Sequence, residues 1–198
     1  MKKAFVKTFA LLATAATAFA LCACGETETG GPDPNRKDER VYNNVQDFSS
    51  LQGWNGWHYL YRDAMGEIYR MTFDLDGGRW NGRDFYCYNS PTEQHPGNNT
   101  ETIIGWQATV NGKVKVTGSV TRNPADWSGD GVFYYVTLNE EEDEYLFSTL
   151  IEPLEKTPYE MSFEADVKAG DMLYFCINLN ANNSFDSTCS NITIQYQY

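Results

Sequence analysis

Two tryptophans in polar, glycine-containing loops are the residues of this chain best suited to contact a ligand. Trp54 lies in the loop QGWNG (residues 52–56), and Trp127 lies in the loop DWSGD (residues 126–130). Sugar rings have apolar C–H faces that stack on indole rings, while their hydroxyls bind short polar side chains. The pattern predicts stacking by Trp54 and Trp127, with polar contacts from Gln52, Asn55 and Asp130.

The same two tryptophans have a simpler interpretation, in which each side chain folds back onto the domain. Aromatic residues are large hydrophobic groups, so most of them are expected in a core. We expect this for most of the aromatic residues that crowd the stretch from residue 54 to residue 88: Trp54, Trp57, Tyr59, Tyr61, Tyr69, Trp80, Phe85, Tyr86 and Tyr88.

The chain offers little that is typical of catalysis. Its only histidines are His58 and His95, no serine lies in a G-x-S-x-G elbow, and no cysteine has a recognisable nucleophile context. With 27 acidic residues, a facing pair of carboxylates for glycoside hydrolysis remains an alternative. We therefore expect a non-catalytic protein. A glycan-active hydrolase or lyase is the least favoured alternative.

The asparagine-rich segment from Asn178 to Asp186 could offer oxygen ligands to a structural calcium ion. Calcium takes six to eight oxygens, commonly from several carboxylates, and this segment has one, Asp186. Side-chain-to-backbone hydrogen bonds in a turn explain such a segment better. No C-x-x-C motif or Cys/His cluster indicates zinc, so no cofactor is expected beyond this possible calcium.

The elements that must position these loops are all predicted to be strands. Apolar residues alternate with a period of two in Val114–Val120, Val132–Leu138, Met161–Val167 and Ile192–Tyr198. Turn sequences such as Gly129-Asp130-Gly131 and Ala169-Gly170-Asp171 separate the strands. About ten short strands of this kind predict an all-β fold, a two-sheet β-sandwich or jelly roll.

An ordered series of motifs resembles a group of bacterial extracellular β-sandwich modules that are described as carbohydrate-binding-like. The series opens with Gln52-Gly53-x-x-x-Trp57-x-Tyr59-x-Tyr61 and continues with Trp80-Asn81-Gly82, His95-Pro96, Gly105-Trp106-Gln107-Ala108, Gly112-Lys113-Val114-Lys115-Val116-x-Gly118, Asp130-Gly131-Val132, Val167-x-x-Gly170-Asp171-x-x-x-Phe175 and Asn182-Asn183-x-x-Asp186-x-Thr188. The resemblance covers most of residues 48–194. It implies a jelly-roll sandwich with a ligand-binding role.

Two departures from that group bear on the binding surface. Thr109 stands where the group often has proline, and Cys189 stands where an aromatic residue is frequent. The second departure weakens the expectation of a binding surface near Cys189. Because a fold does not fix a function, a structural or protein-interaction role, such as that of an adhesin or assembly subunit, is the second hypothesis.

The N-terminus resembles that of bacterial lipoproteins. Lys2, Lys3 and Lys7 precede an apolar run from Phe9 to Leu21, which is the pattern of a secretory signal. The sequence Leu21-Cys22-Ala23-Cys24 then resembles a lipobox, with Cys24 as the better lipidation site because Leu21 and Ala23 occupy its −3 and −1 positions. An ordinary secretory signal is the alternative, and both interpretations predict export.

Composition then divides the chain into three parts and limits its partners. We predict a lipoprotein signal peptide at residues 1–23, lipidated Cys24 with a flexible linker at residues 24–40, and a β-sandwich domain at residues 41–198. Beyond residue 23 the chain keeps 12 basic and all 27 acidic residues, a formal charge of −15. Such acidity excludes nucleic acid as a partner and leaves attachment to the lipid bilayer to the anchor.

Cysteine content limits the crosslinks in the predicted domain. Three cysteines follow Cys24, so at most one intramolecular disulfide can form. Cys176 could pair with Cys189 across the asparagine-rich segment, Cys87 could pair with either, or all three could stay reduced.

Overall fold

The protein is described by a computed structural model, which covers residues 36–140 and 144–198. Two antiparallel sheets form a β-sandwich, as the alternating sequence patterns predicted. The predicted signal peptide, Cys24 and residues 25–35 lie outside the described residues. Among those described, no helix is long or apolar enough to cross a bilayer.

Six strands form one sheet, which carries the site described below. In spatial order they are β11 (Phe147–Ile151), β10 (Val132–Leu138), β13 (Met172–Leu179), β8 (Thr100–Gln107), β2 (Trp57–Asp63) and β3 (Ile68–Arg70). A single 3₁₀ turn, Trp54–Gly56, leads into β2.

Eight strands form the second sheet. Its path runs through β12 (Tyr159–Val167), β9 (Gly112–Arg122), β14 (Thr188–Gln197), β7 (Gln94–His95), β6 (Tyr88–Asn89), β5 (Arg79–Asn81) and β4 (Thr72–Asp74), while β1 (Val41–Asn43) pairs with β14.

The core lies between the two sheets and follows from the period-two alternation of the strands. Trp57, Tyr59 and Trp106 contribute large aromatic side chains from the six-stranded sheet, and all three are at most 1% exposed. Val116 and Ile194 face them from the eight-stranded sheet. Because successive side chains in a strand point to opposite faces, burying this set turns the alternate residues of β2, β8, β10 and β13 outward.

The two ends of the sandwich are defined by the ends of β8, and we call them the Thr100 end and the Gln107 end. In β2, Asp63 pairs with Thr100 at the first and Trp57 pairs with Trp106 near the second. The segment that joins β13 to β14 lies at the Thr100 end, since β13 finishes there at Leu179.

The N-terminal segment is fastened at the Gln107 end through Asp38. This residue was assigned to the flexible linker by sequence, yet it is 6% exposed. Its carboxylate accepts hydrogen bonds from Tyr42 Oη and Thr109 Oγ1, both at 2.6 Å, and from Arg40 Nη2 at 2.7 Å. The side chain of Tyr198 bonds to the Asp38 backbone. Asp38 is therefore part of the folded domain, and it joins the segment before β1 to Tyr198.

The cysteines of the domain are not bridged in the ways that spacing allowed. Cys87 is a buried free thiol that contacts Thr102 Oγ1 at 3.4 Å. Cys189 is also a free thiol and is only half-buried. The structure thus has neither a Cys176–Cys189 disulfide nor a bridge to Cys87.

Candidate ligand-binding site

A cavity of about 480 Å³ opens on the outward face of the six-stranded sheet at the Thr100 end. We call it the sheet-face cavity. Its floor comes from outward-facing residues of β2, β8, β10 and β13, and its rim comes from the turn after β2 and the loop before β8. The described lining consists of Arg62, Asp63, Ala64, Gly66, Asn98, Asn99, Thr100, Glu101, Phe133, Tyr135, Tyr145, Asn178 and Leu179.

The polar floor of the cavity is a hydrogen-bond network centred on Glu101. Strand pairing places Arg62 directly opposite Glu101, and Arg62 Nη1 donates to Glu101 Oε2 at 3.0 Å. The hydroxyl of Tyr135 donates to the same oxygen at 2.5 Å and accepts from Arg62 Nη1 at 2.7 Å. Asn178 Nδ2 donates to Glu101 Oε1 at 2.5 Å. Four strands are thereby joined through one carboxylate.

The electrostatics of this network favour a fixed floor. Arg62 is only 5% exposed, and the neighbouring Glu101 carboxylate compensates its buried charge. Burial, with Cys176 and Glu101 nearby, raises the pKa of Tyr135 well above its usual range. The Tyr135 hydroxyl therefore keeps its proton at neutral pH and remains a hydrogen-bond donor.

Three aromatic rings form one side of the same cavity. Phe133 stacks on Tyr135 with 5.5 Å between centroids and an interplanar angle of 27°. Tyr145, from the segment before β11, contacts Tyr135 at 4.9 Å and meets Phe133 edge-on at 5.9 Å. Because Tyr145 is 46% exposed, much of its ring remains available to a molecule in the cavity.

The rim adds short polar groups that are held in defined positions. Asp63 closes the turn after β2 by accepting hydrogen bonds at Oδ1 from the amides of Met65 and Glu67. On the opposite side of the rim, the backbone amide of Asn99 donates to Asp84 Oδ2 at 2.8 Å. A cavity with an aromatic wall, a fixed polar floor and amide groups at its rim suits a polyhydroxylated ligand.

Three of the residues predicted from sequence lie away from this cavity, in the segment that precedes β2. Gln52 bonds to the Tyr59 backbone through both of its side-chain ends, at 2.7 and 2.9 Å. Asn55 donates to Asp47 Oδ1 at 3.0 Å and has a left-handed backbone (φ 49°). Trp54 is 52% exposed beside them. Gln52 and Asn55 thus hold their loop, and Trp54 projects from it.

The other two predicted residues lie at the Thr100 end, outside the sheet-face cavity. Asp130 Oδ2 accepts hydrogen bonds from the amides of Ala181 and Asn182, which fixes the segment after β13. Trp127 is 73% exposed and meets Phe185 edge-on at 4.9 Å. The five predicted residues therefore do not form a single site, because Trp54 and Trp127 belong to opposite ends of the sandwich.

Sequence reasoning missed the residues of the sheet-face cavity, although they left a signal. Arg62, Glu101 and Asn178 are polar residues within or beside otherwise apolar strand sequences. Each has one strand neighbour on the core side, Tyr61, Thr102 and Ile177 respectively, so the alternation of the strand turns each of the three outward. What the sequence could not supply was the strand pairing that brings the three side chains together.

The asparagine-rich segment was the predicted place for a calcium ion. Asn178 Nδ2 donates to Glu101 and Asn180 Nδ2 donates to the Asp130 carbonyl, and these bonds orient the two side-chain amides. Within residues 36–140 and 144–198, no group of three or more His, Cys, Asp or Glu side chains is arranged to hold a metal ion. Calcium binding at this segment stays a prediction.

Comparison with known proteins gives no family assignment. No protein-family model matches the chain, and no curated protein matches it. A family 51 carbohydrate-binding module from Clostridium perfringens, solved with methyl-galactose, is 9% identical over 79% of this chain and 99% of its own, with a TM-score of 0.41. A family 35 module from Clostridium thermocellum is 12% identical over 70% and 98%, with a TM-score of 0.33. GITRL from pika is 11% identical over 71% and 96%, with a TM-score of 0.34.

Proposed function

We propose that this protein is a non-catalytic glycan-binding protein and that the sheet-face cavity is its binding site. One observation carries the proposal: the aromatic wall of Phe133, Tyr135 and Tyr145 stands beside a fixed network of hydrogen-bonding groups in one cavity. The apolar face of a sugar ring packs on the Tyr145 ring. Hydroxyls at the ring edge bind the side-chain amides of Asn98, Asn99 and Asn178.

The charges around the cavity favour an uncharged glycan. Arg62 and Glu101 neutralise each other across 3.0 Å, and Asp63 leaves the lining with a slight excess of negative charge. The rest of the domain is strongly acidic, so a polyanionic chain would be repelled on approach. Neutral sugars avoid this cost and use the hydroxyl-binding groups fully.

The same network argues for binding rather than catalysis. Both oxygens of Glu101 already accept hydrogen bonds, from Arg62, Tyr135 and Asn178. A carboxylate whose two oxygens are occupied by neighbouring side chains is engaged in holding the floor, which leaves it poorly placed to act on a substrate. Glu101 therefore positions the floor of the cavity.

The experiment is a glycan array probed with residues 36–198, followed by calorimetry on the glycans that bind. Tyr145→Ala should weaken binding by about tenfold or more, since aromatic stacking contributes about 1–3 kcal/mol. Tyr145→Phe keeps the ring and should retain most of the affinity. Trp54→Ala, in the segment before β2, is the matched control and should bind like the wild type.

Two results would contradict the proposal. One is the absence of binding to every neutral glycan on the array. The other is binding that survives Tyr145→Ala unchanged, which would move the site elsewhere on the domain. Capture of a protein partner by the same surface, unaffected by sugars, would favour the adhesin or assembly role instead.

We further propose that the domain is exported and anchored through a lipid on Cys24. The motif Leu21-Cys22-Ala23-Cys24 and the preceding apolar run support this. Two or three acyl chains would hold the protein firmly on a bilayer. Metabolic labelling with a palmitate analogue should mark the wild type and fail to mark Cys24→Ala, whereas Cys22→Ala should still be labelled. Labelling that persists in Cys24→Ala would contradict the assignment.

A further inference from the structure

A second cavity, of about 410 Å³, lies at the Thr100 end and has no part in the function proposed above. We call it the end cavity. Its lining includes Arg79, Phe85, Tyr86, Tyr88, His95 and Phe185. Arg79, Tyr88 and His95 come from the short strands β5, β6 and β7, Phe85 and Tyr86 from the segment between β5 and β6, and Phe185 from the segment before β14.

Stacked side chains centred on Tyr88 form part of the lining of the end cavity. The Tyr88 ring contacts the Arg79 guanidinium, 4.5 Å from its centroid, and stacks with the His95 ring, 5.6 Å away at an interplanar angle of 22°. Tyr88 Oη donates to Glu93 Oε1 at 2.7 Å. Burial lowers the pKa of His95, so this ring is neutral at physiological pH. The stack presents both apolar surface and hydrogen-bonding groups.

Large aromatic side chains stand exposed around this stack. Phe85 is 83% exposed and Tyr86 is 52% exposed, and the two rings meet edge-on at 4.9 Å. Trp127 stands against Phe185, which also lines the cavity. Exposed aromatic clusters of this kind are typical of binding sites, because leaving them in water forgoes the free energy of their burial.

The two cavities are joined by a direct contact between their loops. Asn98 and Asn99 line the sheet-face cavity, and Phe85 lines the end cavity. The Asn99 amide donates to the carboxylate of Asp84, the residue before Phe85. Gly97 makes this approach possible, since a Cβ at that position would collide with Asp84 and Thr100. The cavities therefore lie on either side of one loop contact.

Both cavities have similar charge and chemistry. Each contains one guanidinium and at least one carboxylate: Arg62 with Glu101 in the first, and Arg79 with Asp126 in the second. Burial raises the pKa of Asp126 above its usual value, while Arg122 lowers it. Neither cavity is suited to a strongly charged ligand, and both combine aromatic rings with short polar groups.

We infer that the end cavity binds additional sugar residues of the same glycan chain that occupies the sheet-face cavity. The preferred ligand is then an oligosaccharide or the interior of a polysaccharide, and a single terminal sugar fills only part of the site. The inference rests on the proposed glycan-binding function. It assigns to Phe85 and Trp127 a role in selecting chain length.

The test measures affinity against chain length for cello-, laminari-, manno- and xylo-oligosaccharides of two, four and six residues. For the series that binds, the wild type should gain at least tenfold in affinity from the disaccharide to the hexasaccharide. The double variant Phe85→Ala/Trp127→Ala should lose most of that gain and keep its disaccharide affinity. Tyr145→Ala should weaken binding at every length, and Trp54→Ala should match the wild type.

The outcomes separate this inference from the function on which it rests. Equal affinity for short and long chains, or a hexasaccharide affinity that the double variant retains, would overturn the inference and leave the sheet-face site standing. Failure of all lengths to bind in every series would overturn both. Loss of disaccharide binding in the double variant, with Tyr145→Ala unaffected, would place the primary site in the end cavity and overturn both as stated. Circular dichroism of each variant controls for folding.

Discussion

The two ends of the sandwich treat a buried carboxylate in opposite ways. At the Gln107 end, Asp38 accepts hydrogen bonds from Arg40, Tyr42 and Thr109. At the Thr100 end, Asp186 is fully buried, yet neither of its oxygens accepts a hydrogen bond from the described residues. Buried polar groups are costly unless they are paired, so the first carboxylate stabilises the domain and the second destabilises it.

The difference matches the distribution of cavities. Both cavities lie at the Thr100 end, next to segments that carry Asp186, Trp127 and Asn178. The Gln107 end instead joins the N-terminal segment to the last strand through Asp38 and Tyr198. Binding sites commonly retain groups that are unfavourable for folding, and the stability lost there is recovered elsewhere in the fold. In this domain the hydrogen bonds of Asp38 supply part of that stability.

The largest expected effect on the free energy of unfolding comes from a substitution at the Gln107 end. Asp38→Ala removes a carboxylate that four side-chain and backbone groups contact and leaves the Arg40 charge and the Tyr42 hydroxyl without it. We expect the free energy of unfolding to fall by about 3 kcal/mol, measured by urea denaturation at pH 7. Asp166→Ala removes an exposed acid from β12 and should change stability by less than about 0.5 kcal/mol. Equal effects of the two substitutions would show that Asp38 does not fasten this end.

A smaller effect of opposite sign is expected at the Thr100 end. Burial, with Asp130 and Asp126 nearby, raises the pKa of Asp186 from 3.8 to about 7, against the opposing influence of Arg122. Asp186 thus takes up a proton on folding between about pH 4 and pH 7, and its ionisation lowers stability as the pH rises through that window. Asp186→Asn should raise the free energy of unfolding by about 2 kcal/mol at pH 8 and by much less at pH 4.

This pH dependence distinguishes the two carboxylates. Arg40, Thr109 and Tyr42 hold the pKa of Asp38 well below its usual range, so its stabilising contribution is present above about pH 4 and is lost as the pH falls further. Urea denaturation at pH 4, 6 and 8 measures the slope that Asp186 causes, and denaturation at pH 2 and 3 compared with pH 4 measures the slope that Asp38 causes. Asp76→Asn, at an exposed turn, is the control for Asp186→Asn. If Asp186→Asn were less stable than the wild type at pH 8, Asp186 would have a stabilising partner in the folded domain.

Much of this fold could be predicted from the sequence, because a long strand shows a clear period-two alternation of apolar residues. Val132, Tyr134, Val136 and Leu138 alternate in the sequence, and β10 spans the same residues, Val132–Leu138. The two-residue strands β6 and β7 could not be predicted, since a period of two needs more residues to show. They nevertheless position Tyr88 and His95 in the end cavity.

The site was harder to predict than the fold for a physical reason. Arg62 and Glu101 are 39 residues apart in sequence, and only the pairing of β2 with β8 makes them neighbours. Loop composition drew attention to Trp54 and Trp127, because glycine and short polar residues surround both. Composition indicates exposure, which both tryptophans have, but it does not say which end of the sandwich each one belongs to.

The smallest effects on stability, and the sharpest contrast in binding, are expected from these two tryptophans. Trp54 is 52% exposed and Trp127 is 73% exposed, so replacing either by alanine should change the free energy of unfolding by less than about 1 kcal/mol. Trp127→Ala should nevertheless weaken hexasaccharide binding at least threefold, because Trp127 stands beside Phe185 at the end cavity. Trp54→Ala should leave the same affinity unchanged, because its loop lies apart from the residues that line either cavity. If Trp54→Ala weakened binding and Trp127→Ala did not, the glycan would bind at the Gln107 end. The contrast between the two ends of the sandwich would then be reversed.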